Sequence, residues 1–381
     1  MKIMFVSLGC DKNLVDTESM LGILRNKGFE FTDDEFEADV IAVNTCCFIH
    51  DAKQESINTI LEMAEHKKDG ACKALIVSGC LAHRYQDEIT KEIPEVDAFL
   101  GTSSYDKIAD VILAVLEGKG YNCIDSADRL VGTDTERIIT TGGYYEYLKI
   151  AEGCDKHCTY CIIPKVRGNY RSYPMEYLVR QAESLVEKGV RELILVAQET
   201  TVYGVDIYGK KSLAELIKRL AGIEGLSWIR ILYCYPEEID DSLIEVIKNE
   251  PKVCHYLDMP IQHASDNILK RMGRRTTKQE LKDVIARLRE NIPDIALRTT
   301  LITGFPGETQ EEHEEMLDFV DEMEFDRLGV FTYSAEEDTP AAAMPGQIDE
   351  AVKEARRDAV MELQQAVSLD KSREMIGRVI E

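Results

Sequence analysis

The chain has 381 residues, more than one ordinary domain needs and suited to two, and its 44% hydrophobic and 30% charged residues make a globular composition. The net charge of −25 argues against a nucleic-acid surface on this chain, because phosphate binding wants a basic stripe. That acidity suits either simple solubility or a basic protein partner, and no apolar run approaches the length of a membrane span.

The first residues, MKIMFVSLGC, lack the apolar core and cleavage site of a signal peptide and read as a first strand. The chain is therefore expected in the cytoplasm. Strand 3–8 is followed by a helix over 14–26, with Leu14, Met20, Leu21 and Leu24 on its apolar face. Strand 40–44 precedes a helix over 52–66, with Ile57, Ile60, Leu61 and Ala64 on one side. Strand 74–78 leads to a helix from about Arg84, then a short strand over 98–100 and a helix over 105–116. This alternation predicts an α/β domain at 1–125, a doubly wound, mostly parallel sheet. Residues 126–144 are polar, carry Gly142 and Gly143, and read as a linker.

A second alternating series follows over 145–367. Its strands are expected at 147–151, 193–197, 228–232, 256–258, 296–302 and 327–331, with helices between them such as 175–188, 277–291 and 310–324. Six such units predict a partial (β/α)6 barrel, since a full eight-unit barrel normally needs a longer segment. A last helix is expected over 350–369, and 374–381 reads as the opening strand of a further element.

Eleven cysteines in a chain of this kind favour metal or catalysis over disulfides. Cys154, Cys158 and Cys161 lie within eight residues, just after the first barrel strand, where barrel active sites sit. A cubane cluster normally takes four thiolates, so three leave one iron open to a ligand. The alternative is a zinc site completed by His157, although no matching Cys-x-x-Cys follows. Cys10, Cys46 and Cys80 each follow a successive strand of the first domain. In a parallel sheet those strand ends lie side by side on the ligand-binding edge. Three thiols converging there suit a second cluster; the plainer alternative is three small buried hydrophobes. Cys46 and Cys47 are adjacent, and spacing does not choose between them. The remaining cysteines, Cys47, Cys72, Cys123, Cys234 and Cys254, read as thiols without a metal.

The Cys-x-x-x-Cys-x-x-Cys motif after a first barrel strand resembles the radical S-adenosylmethionine (SAM) superfamily. The surrounding GCDKHCTYCIIPKVRGNYRS is similar to the methylthiotransferases within it, as are SLGCDKNLVDTE, NTCCFI and SGC in the N-terminal domain. The resemblance spans the chain and implies two 4Fe–4S clusters, one on Cys10, Cys46 and Cys80 and one on Cys154, Cys158 and Cys161. It implies that SAM serves twice, as methyl donor and as the source of a 5′-deoxyadenosyl radical. It also implies an external electron donor and a sulfur source. Within the family, GCDKNLVDTE, LVAQETTVYG and MPIQHASDNILKRMGRRT resemble the branch that modifies an aspartate of small-subunit ribosomal protein uS12. The sister branch modifies isopentenyl-adenosine in tRNA and usually has Gln-Met where this chain has Asp11-Lys12. Two departures stand out. Cys47 stands where glycine is expected, and the closing TRAM β-barrel is largely absent, with 368–381 as its start.

The resemblance places an aromatic near SAM at Tyr160 and a SAM-binding loop at Gly304–Glu308. Gln198, Gln262 and Arg298 stand at strand ends on the same rim, where a guanidinium can fork onto the SAM carboxylate. A plain Pro-Gly turn also explains the glycine loop. His263 could be a base or a capping residue, a lone histidine beside a strand end being more often structural. Lys165, Arg167 and Arg171, and Arg271, Arg274 and Arg275, read as solvated charge, although either group might meet a substrate carboxylate. No catalytic residue is singled out beyond the clusters. An iron–sulfur electron carrier or a zinc-structured binding module are the competing classes; neither needs a SAM-type barrel.

Overall fold

A computed structural model describes residues 1–132 and 136–379. The chain divides into two compact units: Met1–Asp155 with Ile162–Arg191, and Lys156–Cys161 with Glu192–Glu381.

The first unit opens with β1 (Lys2–Ser7), α1 (Asp11–Asn26), β2 (Glu30–Phe31), β3 (Val40–Thr45) and α2 (His50–Asp69). It continues with β4 (Ala74–Gly79), α3 (Cys80–Glu92), β5 (Ala98–Leu100) and α4 (Ile108–Leu116). The sheet runs β2-β1-β3-β4-β5 with every pairing parallel. Every residue of β3 and β4 is buried, as parallel strands covered on both faces must be. Strand parity sorts the core into two layers. Ile41, Val43, Leu75 and Val77 pack with Ile60 and Met63 of α2 and Leu81 and Ile89 of α3. Val40, Ala42, Ala74 and Ile76 pack with Met20 and Leu24 of α1 and Ile108 and Ile112 of α4. This is the doubly wound sheet that the alternation predicts.

The same unit holds β6 (Tyr145–Lys149), β7 (Ala151–Glu152), α5 (Ile163–Arg167), β8 (Arg171–Ser172) and α6 (Met175–Glu187). β7 and β8 pair antiparallel over two residues each, with α5 between them in the chain, a ladder too short to leave a sequence pattern. The segment read as a linker is tied down where it is described. Val131 is buried, and its carbonyl accepts from Tyr105 Oη at 3.0 Å and Tyr173 Oη at 2.8 Å. Thr140 donates its N–H to Glu18 Oε1 at 2.7 Å. Residues 133–135 of that segment lie outside the described residues.

The second unit contains β9 (Glu192–Val196), α7 (Val205–Tyr208), α8 (Leu213–Ala221), β10 (Trp228–Ile231) and α9 (Asp241–Asn249). Then come β11 (Val253–Asp258), α10 (Asp266–Arg271), α11 (Lys278–Asn291), β12 (Ala296–Thr303), α12 (Gln310–Met323), β13 (Arg327–Thr332) and α13 (Glu350–Glu374). Its strands pair in parallel in chain order, β9 to β13, as a partial (β/α) barrel does. Thr277 and Thr309 start α11 and α12 with full capping boxes.

Some expectations shift. α1 begins at Asp11 rather than Leu14, and α3 begins at Cys80 itself rather than near Arg84. Leu61, expected inside, is 47% exposed. After α13 the chain turns, and no strand forms among the described residues of 374–379; residues 380–381 of that expected strand lie outside them. No helix among the described residues is long and apolar enough to cross a membrane.

Candidate functional site

In the first unit, β1 lies beside β3 and β3 beside β4, so the three expected ligand positions share one sheet edge. Cys10 is the N-cap of α1 and is exposed. Cys46 follows β3 and is buried; its N–H donates to Ser56 Oγ at 3.0 Å, and Ser56 Oγ donates back to its carbonyl at 2.9 Å. Cys80 is the first residue of α3 and is buried. The three thiols are within electrostatic reach of one another, and burial pushes those of Cys46 and Cys80 up from their ordinary range. Cys47, like Cys80, joins the apolar layer with Ile60 and Leu81, and burial pushes its thiol up to about 12.

Glycines make the edge possible. Gly9 has φ +90, and a Cβ there would meet Cys46 Cβ at 2.9 Å and Cys46 Sγ at 3.3 Å. Gly79, also at φ +90, would drive a Cβ to 2.5 Å from the Thr45 carbonyl oxygen. Asn13 of α1 ties the loops together: its Nδ2 donates to Leu8 O at 3.1 Å and Thr45 O at 3.0 Å, while its Oδ1 lies 4.0 Å from Cys80 Sγ.

Among the described residues, no three His, Cys, Asp or Glu side chains stand close enough to hold a single metal ion. One tetrahedral ion with bonds of about 2.3 Å draws its thiolates to within about 4 Å of each other. A cubane gives each thiolate its own iron corner and spaces them more widely. Three thiols at neighbouring strand ends fit a cluster by the chemistry of the donor set.

The barrel motif is divided between the units. Cys154 is buried in the first, where its N–H donates to Gly168 O at 3.1 Å. Cys158 and Cys161 belong to the second, joined by a Cys161 N–H to Cys158 O bond of 3.0 Å. Cys158 Sγ is 3.3 Å from Tyr235 Oη. Lys156 lies 4.9 Å from the Tyr235 ring centroid, pairs with Glu238, and sits 3.7 Å from Glu199 Oε2. His157, the alternative zinc ligand, is exposed at φ +52.

In the second unit, two of the expected SAM positions share one apolar cluster and the others stand apart in the chain's contacts. Tyr160 is part-buried against the apolar cluster of Phe305, Met272 and Tyr333, so the aromatic and the glycine loop share one wall. Arg298 is the third residue of β12 rather than at the expected strand end; register sets it beside Asp258, the last residue of β11. Its Nη1 donates to Asp258 Oδ1 at 2.8 Å. Gln262 has a strained φ of +75 and bridges to Leu301, accepting from Ile302 N–H at 2.8 Å. Gln198 follows β9 and is half-buried.

Glu308 turns inward instead. Its Oε2 accepts the Gly304 N–H at 2.7 Å and the Phe305 N–H at 3.1 Å, and its Oε1 accepts Arg356 Nη1 at 2.9 Å. Burial raises this carboxyl, but His263, Arg356 and the Phe305 N–H together hold it below the usual range. Glu308 thus shapes the loop that starts at Gly304, whose φ is +71. His263 is structural as expected: its Nδ1 accepts the Ser265 N–H at 3.0 Å.

Sequence reasoning missed two arginines. Arg167 and Arg274 are buried, not solvated, because each meets acceptors distant in sequence. Arg167 Nη1 donates to Asp16 and Glu152, each at 3.0 Å, and Nη2 donates to Asn13. Arg274 lies over the ring of Tyr235 and donates to Pro260 O at 3.0 Å. The available signal was in α1, where Asn13, Asp16 and Thr17 form a polar stripe at helical spacing beside Cys10.

Known families and proteins match the chain over most of its length. Residues 2–101 match the Uncharacterized protein family UPF0004, and residues 148–320 match the Radical SAM superfamily. A Lachnoclostridium phytofermentans protein named ribosomal protein uS12 methylthiotransferase RimO is 66% identical over 378 residues, 99% of this chain and 86% of the relative. A Clostridioides difficile protein of the same name is 52% identical over 381 residues, 100% of this chain and 86% of the relative. By fold, the chain resembles TsrM, a radical SAM methyltransferase from Kitasatospora setae solved with cobalamin and a [4Fe–4S] cluster. That match has a TM-score of 0.63 at 15% identity, over 89% of this chain and 76% of TsrM. Similarity of this extent, on both sides of the linker, means that the chain belongs to the RimO family of radical SAM methylthiotransferases.

Proposed function

We propose that the protein inserts a methylthio group at the β-carbon of an aspartate of ribosomal protein uS12, using two 4Fe–4S clusters and two molecules of SAM. The carrying observation is the near-full-length identity to RimO proteins, with both cysteine triplets at strand ends. When bound, the clusters and SAM supply the radical, methyl-transfer and sulfur chemistry that no side chain provides.

The chain's own residues hold and enclose them. Cys10, Cys46 and Cys80 would ligate the N-terminal cluster, and Cys154, Cys158 and Cys161 the barrel cluster. Tyr160 and Phe305 share an apolar wall that would shield a bound SAM from water. Gln198 and Gln262 offer polar groups after β9 and β11, Arg298 offers one beside the end of β11, and Glu308 fixes the glycine loop from within. The reading also includes an external electron donor, a sulfur source and a cytoplasmic setting.

The test is anaerobic reconstitution with iron and sulfide, followed by mass spectrometry of a uS12 peptide and of hypomodified tRNA. A methylthio shift on the aspartate peptide, weakened by added salt because an acidic chain meets a basic partner, is expected. A shift on the tRNA with an unmodified peptide would establish the sister activity instead.

A further inference from the structure

Arg167 has an environment that its packing alone does not explain. It is buried, and its guanidinium spans two settings. One nitrogen shares Asp16 and Glu152 with Lys149, whose Nζ reaches Glu152 Oε2 at 2.8 Å and also pairs with Asp16. Two cations on two carboxylates make a neutral set when all are ionised, and burying such a set is costly unless every donor is placed. The other nitrogen leaves the carboxylates and donates to Asn13 Oδ1. That same oxygen lies 4.0 Å from Cys80 Sγ, and the amide's other end holds the carbonyls of Leu8 and Thr45, just before Cys10 and Cys46. The guanidinium is thus hung, through one amide, on all three ligand loops of the first unit.

We propose that Arg167 is a positioning residue for the N-terminal cluster: it supplies a fixed positive charge beside Cys80 that eases reduction of that cluster. The inference rests on the two-cluster reading above. A cluster held by three thiolates gains one negative charge when it accepts an electron. A cation fixed in a low-dielectric interior favours the more negative form, because it needs no solvent reorganisation to do so. Glu152 and Asp16 temper that charge from the opposite side, so removing a carboxylate and removing the guanidinium should act with opposite sign.

The experiment uses the full chain with Cys154, Cys158 and Cys161 all changed to Ala, so that only the N-terminal cluster can form. After anaerobic reconstitution, iron is counted and the potential is measured by an EPR-monitored redox titration. About four iron per chain are expected; none would sink the two-cluster reading itself. With iron present, Arg167→Gln should move the potential negative and Glu152→Gln should move it positive. Arg167→Lys, which keeps the charge, should recover most of the difference. Unchanged potentials, or shifts of the same sign in both variants, would overturn the proposal. If Arg167→Gln does not fold or load, Glu152→Gln decides alone, and a negative or absent shift there is fatal.

Discussion

The guanidinium of Arg274 lies 4.0 Å from the ring centroid of Tyr235, whose hydroxyl is 3.3 Å from Cys158 Sγ. A desolvated cation over an aromatic face contributes about 2 kcal/mol, and the bond to Pro260 O adds to it. Arg274→Ala should therefore destabilise the apoprotein by about 2–4 kcal/mol, read as a lower urea midpoint. Tyr235→Phe keeps the ring and should cost less than about 1 kcal/mol. Equal losses in the two variants would show that the stacking contributes little.

Gly9→Ala tests the crowding at the first sheet edge. The new methyl would stand 2.9 Å from Cys46 Cβ on a backbone at φ +90. A loss of about 1–3 kcal/mol is expected from strain and overlap. The iron bound by the N-terminal triplet should fall with it. Full iron content and an unchanged melting temperature would mean that the edge is roomier than this geometry.

Glu199 gives a pH signature. Burial pushes its carboxyl up to about 7, against Lys156 and the Thr201 hydrogen bonds that pull it down. The folded protein therefore keeps a proton that the unfolded chain releases near 4.5. The resulting stability is present below that value and is lost as pH rises through about 7. Relative to Glu199→Gln, the unmodified protein should lose about 2–3 kcal/mol between pH 5 and pH 8. Thermal melts of both proteins across that range check it; parallel curves would remove Glu199 from the account.

The two triplets should also separate chemically. The fully reconstituted chain should carry about eight iron, and Cys154→Ala, Cys158→Ala, Cys161→Ala about half of that. This variant should no longer cleave SAM to 5′-deoxyadenosine. Cys10→Ala, Cys46→Ala, Cys80→Ala should still cleave SAM but yield no methylthio product. Cleavage lost only in the second variant would reverse the two roles.

What could be read from the chain depended on how local its cause was. Burial of β3 and β4 is written into VIAVNT and ALIVSG, and a parallel sheet then places Cys10, Cys46 and Cys80 on neighbouring strand ends. The choice between Cys46 and Cys47 was not legible from spacing, because both follow the end of β3. Arg167 was not legible, because its burial depends on Asp16, 151 positions away, and on Glu152. Glu308 was misleading for a related reason. A carboxylate four residues after Gly304 matches a ligand-binding loop in sequence, yet it closes that loop on itself. The segment before β6 looked like a spacer from its polarity, but Glu18 and Arg137, both buried and 2.5 Å apart, bind it to α1.

Cys10 differs from its partners in one respect that bears on handling. It is exposed, whereas Cys46 and Cys80 are buried under their own strands and helices. A thiol-modifying reagent added to metal-free protein will thus meet Cys10 first, and the rate of its alkylation becomes a gauge of occupancy.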